Sequence, residues 1–147
     1  MTDGVLEDLT VEERLRVAAR EEVRRHGLRR ANATAVSARA GVSRMTLHRR
    51  AGGMKRLLLD AVTTEFEGCL DEAERRARSG SDGRDRLRLF VLAGLEELRS
   101  SELVSSLRRN DPDLLLPYLV GRWGASQRAL MARTERMLAE GVADGSI

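Results

Sequence analysis

Eight cations lie between Gly27 and Leu59, namely Arg29, Arg30, Arg39, Arg44, Arg49, Arg50, Lys55 and Arg56, and no Asp or Glu interrupts them. A short stretch of one sign suits a polyanion, because each cation that meets a phosphate releases condensed counterions. The same count also suits a solvated surface in an arginine-rich chain, since Lys55 is the sole lysine beside 25 arginines. Spacing separates the two readings better than charge does. Residues 32–50, NATAVSARAGVSRMTLHRR, set out a polar cap, a short apolar-periodic run, a glycine, an apolar residue, a second cap and a second short run. Gly41 permits a left-handed turn, Val42 plugs its corner and Ser43 opens the next helix. This is a helix-turn-helix pattern, in which the second helix enters the major groove. Arg44, Thr46, His48 and Arg49 are the groove-side candidates. Arg can bridge guanine O6 and N7, and Thr can hydrogen-bond or pack on a thymine methyl. Asn32 and Ser43 mark helix starts whose amides can hold phosphate, and Arg50 and Lys55 add charge beside them.

Other chemistries find little support. Cys69 is the single cysteine and His26 and His48 the two histidines, so no multi-cysteine zinc motif and no disulfide framework exists. The acidic pairs Glu21-Glu22, Asp71-Glu72 and Glu96-Glu97 are adjacent, which points them to different sides of a helix, and no glycine-rich phosphate loop occurs. Neither an enzyme nor a metal or cofactor is expected. No run of 18 apolar residues is present and the first ten residues are acidic, so a soluble cytoplasmic protein without membrane span or signal peptide is expected.

These residues must be positioned by helices. Aromatic residues make up 3% of the 147 and proline occurs twice, while Ala, Leu, Glu and Arg dominate, which favours an all-α fold. Thr10 and Glu13 form a capping box ahead of a helix over 11–26 that Gly27 stops. Further helices are predicted over 33–40, 44–50 and 54–78, where Met45 or Leu47 turns inward on the third. Ser79 to Gly83 reads as a loop, followed by a helix over 84–99 with Leu87, Phe90, Val91, Gly94, Leu95 and Leu98 on one face. A shorter helix carries Leu103, Val104 and Leu107 and fails at Asn110-Asp111-Pro112, Leu114 to Leu116 add a turn, and a last helix spans 118–140 and ends at Gly141. The first 60 residues carry a net charge of +5 and the remainder −2, which separates a basic unit, 10–53, from a mildly acidic helical unit, 54–147.

Residues 12–62 resemble the N-terminal domain of the TetR family of transcriptional regulators. The resemblance rests on Leu15-x-x-Ala18-Ala19 and His26-Gly27, on Asn32-Ala33-x-x-Val36 with Ala40-Gly41-Val42-Ser43, and on Arg44 to Arg50 followed by Leu57 to Val62. It implies a helix-turn-helix DNA-binding domain over 10–53 and a helical ligand-binding and dimerisation domain over 54–147. It further implies a homodimer on a palindromic operator, a repressor released by a small hydrophobic inducer. Three places depart from the family pattern: His48 replaces a tyrosine, Ala51 replaces an aromatic, and Gly52-Gly53-Met54 precedes a displaced Lys55. Ligand-lining candidates are Phe66, Leu70, Phe90, Leu107, Tyr118 and Trp123, with Leu95, Leu103 and Met137 in a wider set. Residue by residue, ordinary core explains most of them better than a ligand site does. The family pattern continues with two further long helices, so the second domain is expected to lack them and the dimer contact to fall on the last helix, where Val120, Trp123, Leu130, Met131, Met137 and Leu138 exceed one apolar face. The competing function is a helical interaction module without operator binding, followed by a nonspecific basic DNA-binding protein.

Overall fold

Thr10 opens the first helix with a reciprocal pair of hydrogen bonds. The Glu13 amide donates to its hydroxyl at 3.2 Å, and its own amide donates to the Glu13 carboxylate at 2.8 Å. In the computed structural model, which describes residues 9–116 and 124–147 (side chains of 9–114 and 124–147), that helix is α1, Val11–His26. It is followed by α2 Ala33–Ala40, α3 Arg44–Ala51, α4 Met54–Ala77, α5 Gly83–Ser100, α6 Glu102–Asn110, α7 Pro112–Leu116 and α8 Ala125–Asp144. The fold is all-α, with no strand among the described residues.

The chain divides into two compact units. The first comprises the chain up to Val62 together with Glu102–Leu115, and the second comprises Thr63–Ser101 with the chain from Leu116 onward. α4 carries the chain from one to the other.

In the first unit α1 packs on α2, α3 and α6. Leu15, Ala18, Ala19 and Val23 of α1 are buried, as the 3.6-residue period requires, alongside Val36 and Ala40 of α2, Leu57, Ala61 and Val62 of α4, and Leu103 and Leu107 of α6. On α3 the choice between Met45 and Leu47 is decided: Leu47 is 2% exposed and Met45 76%.

In the second unit α5 packs on α8, and Ala73, Ala77, Phe90, Ala93 and Met137 form a core against which Leu70, Leu87 and Leu89 pack. Two expectations are corrected here. The described last helix runs to Asp144 rather than stopping at Gly141, and its expected first part, 118–123, lies outside the described residues. Gly141 is a contact glycine inside the helix: a Cβ on Gly83, at the start of α5, would overlap the Gly141 backbone. Gly145, left-handed at φ 76°, ends the helix instead. The second correction concerns α5, where Val91 and Leu95, expected on the inward face, are 50% and 62% exposed. The apolar arc of α5 is wider than its packing needs, and Phe90 and Ala93 fill the inward side.

Candidate nucleic-acid interface

Two eight-residue helices are too short to stand alone, so their ends carry much of the local specification. At the start of α2 the Asn32 side chain accepts from the Ala35 amide at 2.8 Å, and at the start of α3 the Ser43 hydroxyl accepts from the Thr46 amide at 3.0 Å. Between them Gly41 adopts φ 65°, ψ 36°, the left-handed region that a side chain disfavours. Its amide and that of Val42 donate to Ala38 and Ser37 carbonyls, at 3.1 and 3.0 Å, closing the last turn of α2. Val42, the expected plug, is half-buried. Gly52, at φ 69°, is likewise left-handed at the end of α3.

The outer face of α3 carries Arg44, Met45, His48 and Arg49, all exposed, while Leu47 anchors the opposite side. Asn32 and Ser43 are exposed at the two caps. The Thr46 hydroxyl lies 3.0 Å from that of Ser43, so it is engaged locally at the helix start. Arg50 turns to α1, with its guanidinium 3.3 Å from the Glu12 carboxylate. Lys55 is exposed at the start of α4.

Tertiary structure brings acids to part of the acid-free stretch. Arg29 pairs with Asp113, whose carboxyl is held below the usual range by that guanidinium, and Arg30 donates to the Asn110 side chain at 2.7 Å. Arg39, Arg44, Arg49, Lys55 and Arg56 have no carboxylate partner among the described residues. Arg39 and Arg56 were not among the expected site residues. For Arg39 the signal was in the sequence: Ala35, Val36, Val42 and Ser43, three and four positions away, include no acid. Arg56 folds back over Gly52, a placement only the turn defines.

The described ligand candidates fall in both units. Phe66 is buried and Leu70 and Phe90 join the core of the second unit, whereas Leu107 is buried in the first. Tyr118 and Trp123 lie outside the described residues, as does Val120. In the wider set, Leu95 is exposed, Leu103 is buried in the first unit and Met137 in the second. A groove of about 570 Å³ in the second unit is lined by Arg75, Arg76, Ser79, Leu89, Leu92, Ala93 and Glu96, none of them candidates. Its cations are already engaged, Arg75 by Glu72 and Arg76 by Glu96 and Glu97. No cluster of three His, Cys, Asp or Glu residues that could hold a metal exists among the described residues, and no described helix is long and apolar enough to cross a membrane. Cys69 is buried.

The chain is thus an all-helical protein with a capped helix-turn-helix unit and a helical remainder. No protein-family model and no curated protein matches its sequence. Its fold is similar to that of the solved fatty acid degradation regulator FadR from Bacillus halodurans, with a TM-score of 0.66 at 15% identity over 95% of this chain and 72% of that one.

Proposed function

We propose that this chain is a sequence-specific DNA-binding transcriptional regulator of TetR-like type that reads duplex DNA with α3. The observation that carries the reading is the combination at one face. Arg44, Met45, His48 and Arg49 project from a helix that follows a left-handed glycine and a serine cap, and Arg44 and Arg49 have no carboxylate partner among the described residues. Arginines without carboxylate partners at the start and in the last turn of such a helix suit guanine edges, and Met45 and Thr46 suit thymine methyls. The fold shared with a solved regulator supports the reading at the level of architecture.

On this reading Asn32 and Ser43 mark amide-bearing helix starts that meet phosphate, and Arg39, Lys55 and Arg56 add electrostatic attraction. The protein acts as a repressor, a homodimer on a palindromic operator, and the second unit binds a small hydrophobic inducer. Leu130, Met131, Leu138 and Val142 of α8, each about two-fifths exposed or more, support a dimer contact on that helix. The test is enrichment of duplexes from a random pool by the protein, followed by titration of the enriched duplex and a scrambled one at several salt concentrations. An operator-reading protein enriches a two-fold symmetric sequence and binds it at least about 10³-fold more tightly than its scramble. Equal affinity for both, or enrichment of nothing, overturns the reading.

A further inference from the structure

The C-terminal corner of α6 closes over the connection between α1 and α2. Asp111 is 1% exposed, and its carboxylate accepts from the amides of Leu28 at 2.6 Å and Arg29 at 3.3 Å. Beside it the Ser106 hydroxyl donates to the Val23 carbonyl at 2.8 Å in a buried bond, and Asn110 donates to the Ser106 carbonyl at 3.0 Å while accepting from Arg30. Gly27 has no side chain to obstruct this closure, and a Cβ there would overlap the Asp111 carboxylate. A buried carboxylate is costly unless its oxygens are hydrogen-bonded, so this group does more than fill space: it fixes the direction of two successive amides. Three residues later Asn32 starts α2, and the α2–α3 pair follows from there.

We propose that Asp111 is a positioning residue for the DNA-facing surface: by holding Leu28 and Arg29 it sets the angle at which α2, and with it α3, leaves α1. This rests on the DNA-binding reading above. The same corner removes Arg29 from the free cations through Asp113 and orients Arg30 through Asn110, so α6 and α7 define the edge of the polyanion-binding face as well as its tilt.

The experiment compares the parent with Asp111→Ala and Asp111→Asn, each checked for helicity and thermal midpoint. The probes are a duplex enriched by the parent from a random pool and the scramble of that duplex. Loss of stability alone lowers the active fraction and leaves the ratio of the two affinities unchanged, whereas a misdirected α3 lowers the ratio. An α3 turned enough to lose one base contact predicts a fall of about tenfold or more in that ratio for Asp111→Ala, and a smaller fall for Asp111→Asn, which keeps one oxygen for Leu28. An unchanged ratio in the folded variants overturns the role of Asp111 alone. A parent that enriches no duplex overturns the DNA-binding reading and this role with it. Should Asp111→Ala not fold, the near-isosteric Asp111→Asn carries the same comparison.

Discussion

Most arginines of the second unit are paired with acids, although Arg78, Arg84 and Arg99 have no carboxylate partner among the described residues, whereas most cations along α2, α3 and the start of α4 are unpaired. In the second unit Arg133 lies between Asp71 and Glu74, Arg136 meets Glu74, Arg86 lies 3.2 Å from Glu140, and Arg76 reaches Glu96 at 2.6 Å. In the first, Arg39 of α2, Arg44 and Arg49 of α3, and Lys55 and Arg56 at the start of α4 lack carboxylate partners among the described residues. An arginine-rich composition explains arginine at both places but not the clustering of unpaired cations along α2, α3 and the start of α4. For most arginines of the second unit acids stand within reach. Along α2, α3 and the start of α4 they do so for Arg50 alone among the described residues, through Glu12, and Asp113 serves Arg29 ahead of α2.

The largest effect expected is at the turn that holds the unpaired face. Gly41→Val places a branched side chain at φ 65° and is expected to cost about 2–3 kcal/mol, lowering the thermal midpoint and removing duplex binding together. A variant as stable as the parent, with binding intact, breaks the link between that turn and the interface. The corresponding change in the second unit is Gly83→Ala, which forces a Cβ onto the Gly141 backbone and is expected to cost about 1–3 kcal/mol. Gly141→Ala is expected to be milder, because its Cβ meets the side chain of Ile147 near the chain's end. Equal urea midpoints for the two would place the contact elsewhere.

Arg44→Ala and Arg49→Ala sharpen the comparison from the other side. Each is expected to leave the thermal midpoint unchanged, within about 0.5 kcal/mol for a surface site, and to cost about 1–3 kcal/mol of discrimination if it contacts a base. Unchanged dissociation constants for both at matched salt would remove α3 from the interface. Arg133→Ala should behave in the opposite sense, costing stability of about 1 kcal/mol while duplex affinity stays constant.

Acid is expected to have the smallest effect. The Arg24 guanidinium, helped by Arg25, holds the Glu21 carboxyl at about 2 against an ordinary 4.5. Its folded-state value is depressed, so the stability it contributes is present above pH 4.5 and is lost as pH falls towards 2. For a pair this solvated the contribution is about 1 kcal/mol or less. It would appear as a shallower fall in urea midpoint between pH 5 and pH 2.5 for Glu21→Gln than for the parent.

Local chemistry alone determined the helices of the first unit. Thr10 with Glu13, Asn32, Gly41 and Ser43 are capping and turn residues whose partners lie within four positions, so the bounds of α1 and α2 and the start of α3 were legible directly. The outward placement of Arg44, His48 and Arg49 followed from the same short-range geometry. Long-range choices were not legible. Leu47 rather than Met45 turns inward because the first unit's core accepts one of two residues with similar hydrophobic character. Gly141 lies within α8 because Gly83, 58 positions earlier, approaches its backbone, and a glycine that stops a helix looks the same in sequence as one that admits a neighbour. The acid-free stretch gained Asp113 and Glu12 as partners, and the α1–α2 connection gained Asp111, from residues far along the chain. Capping needs a few covalently linked neighbours; packing and charge pairing need the closed chain to bring distant groups within a few ångströms, and only the tertiary structure decides which ones meet.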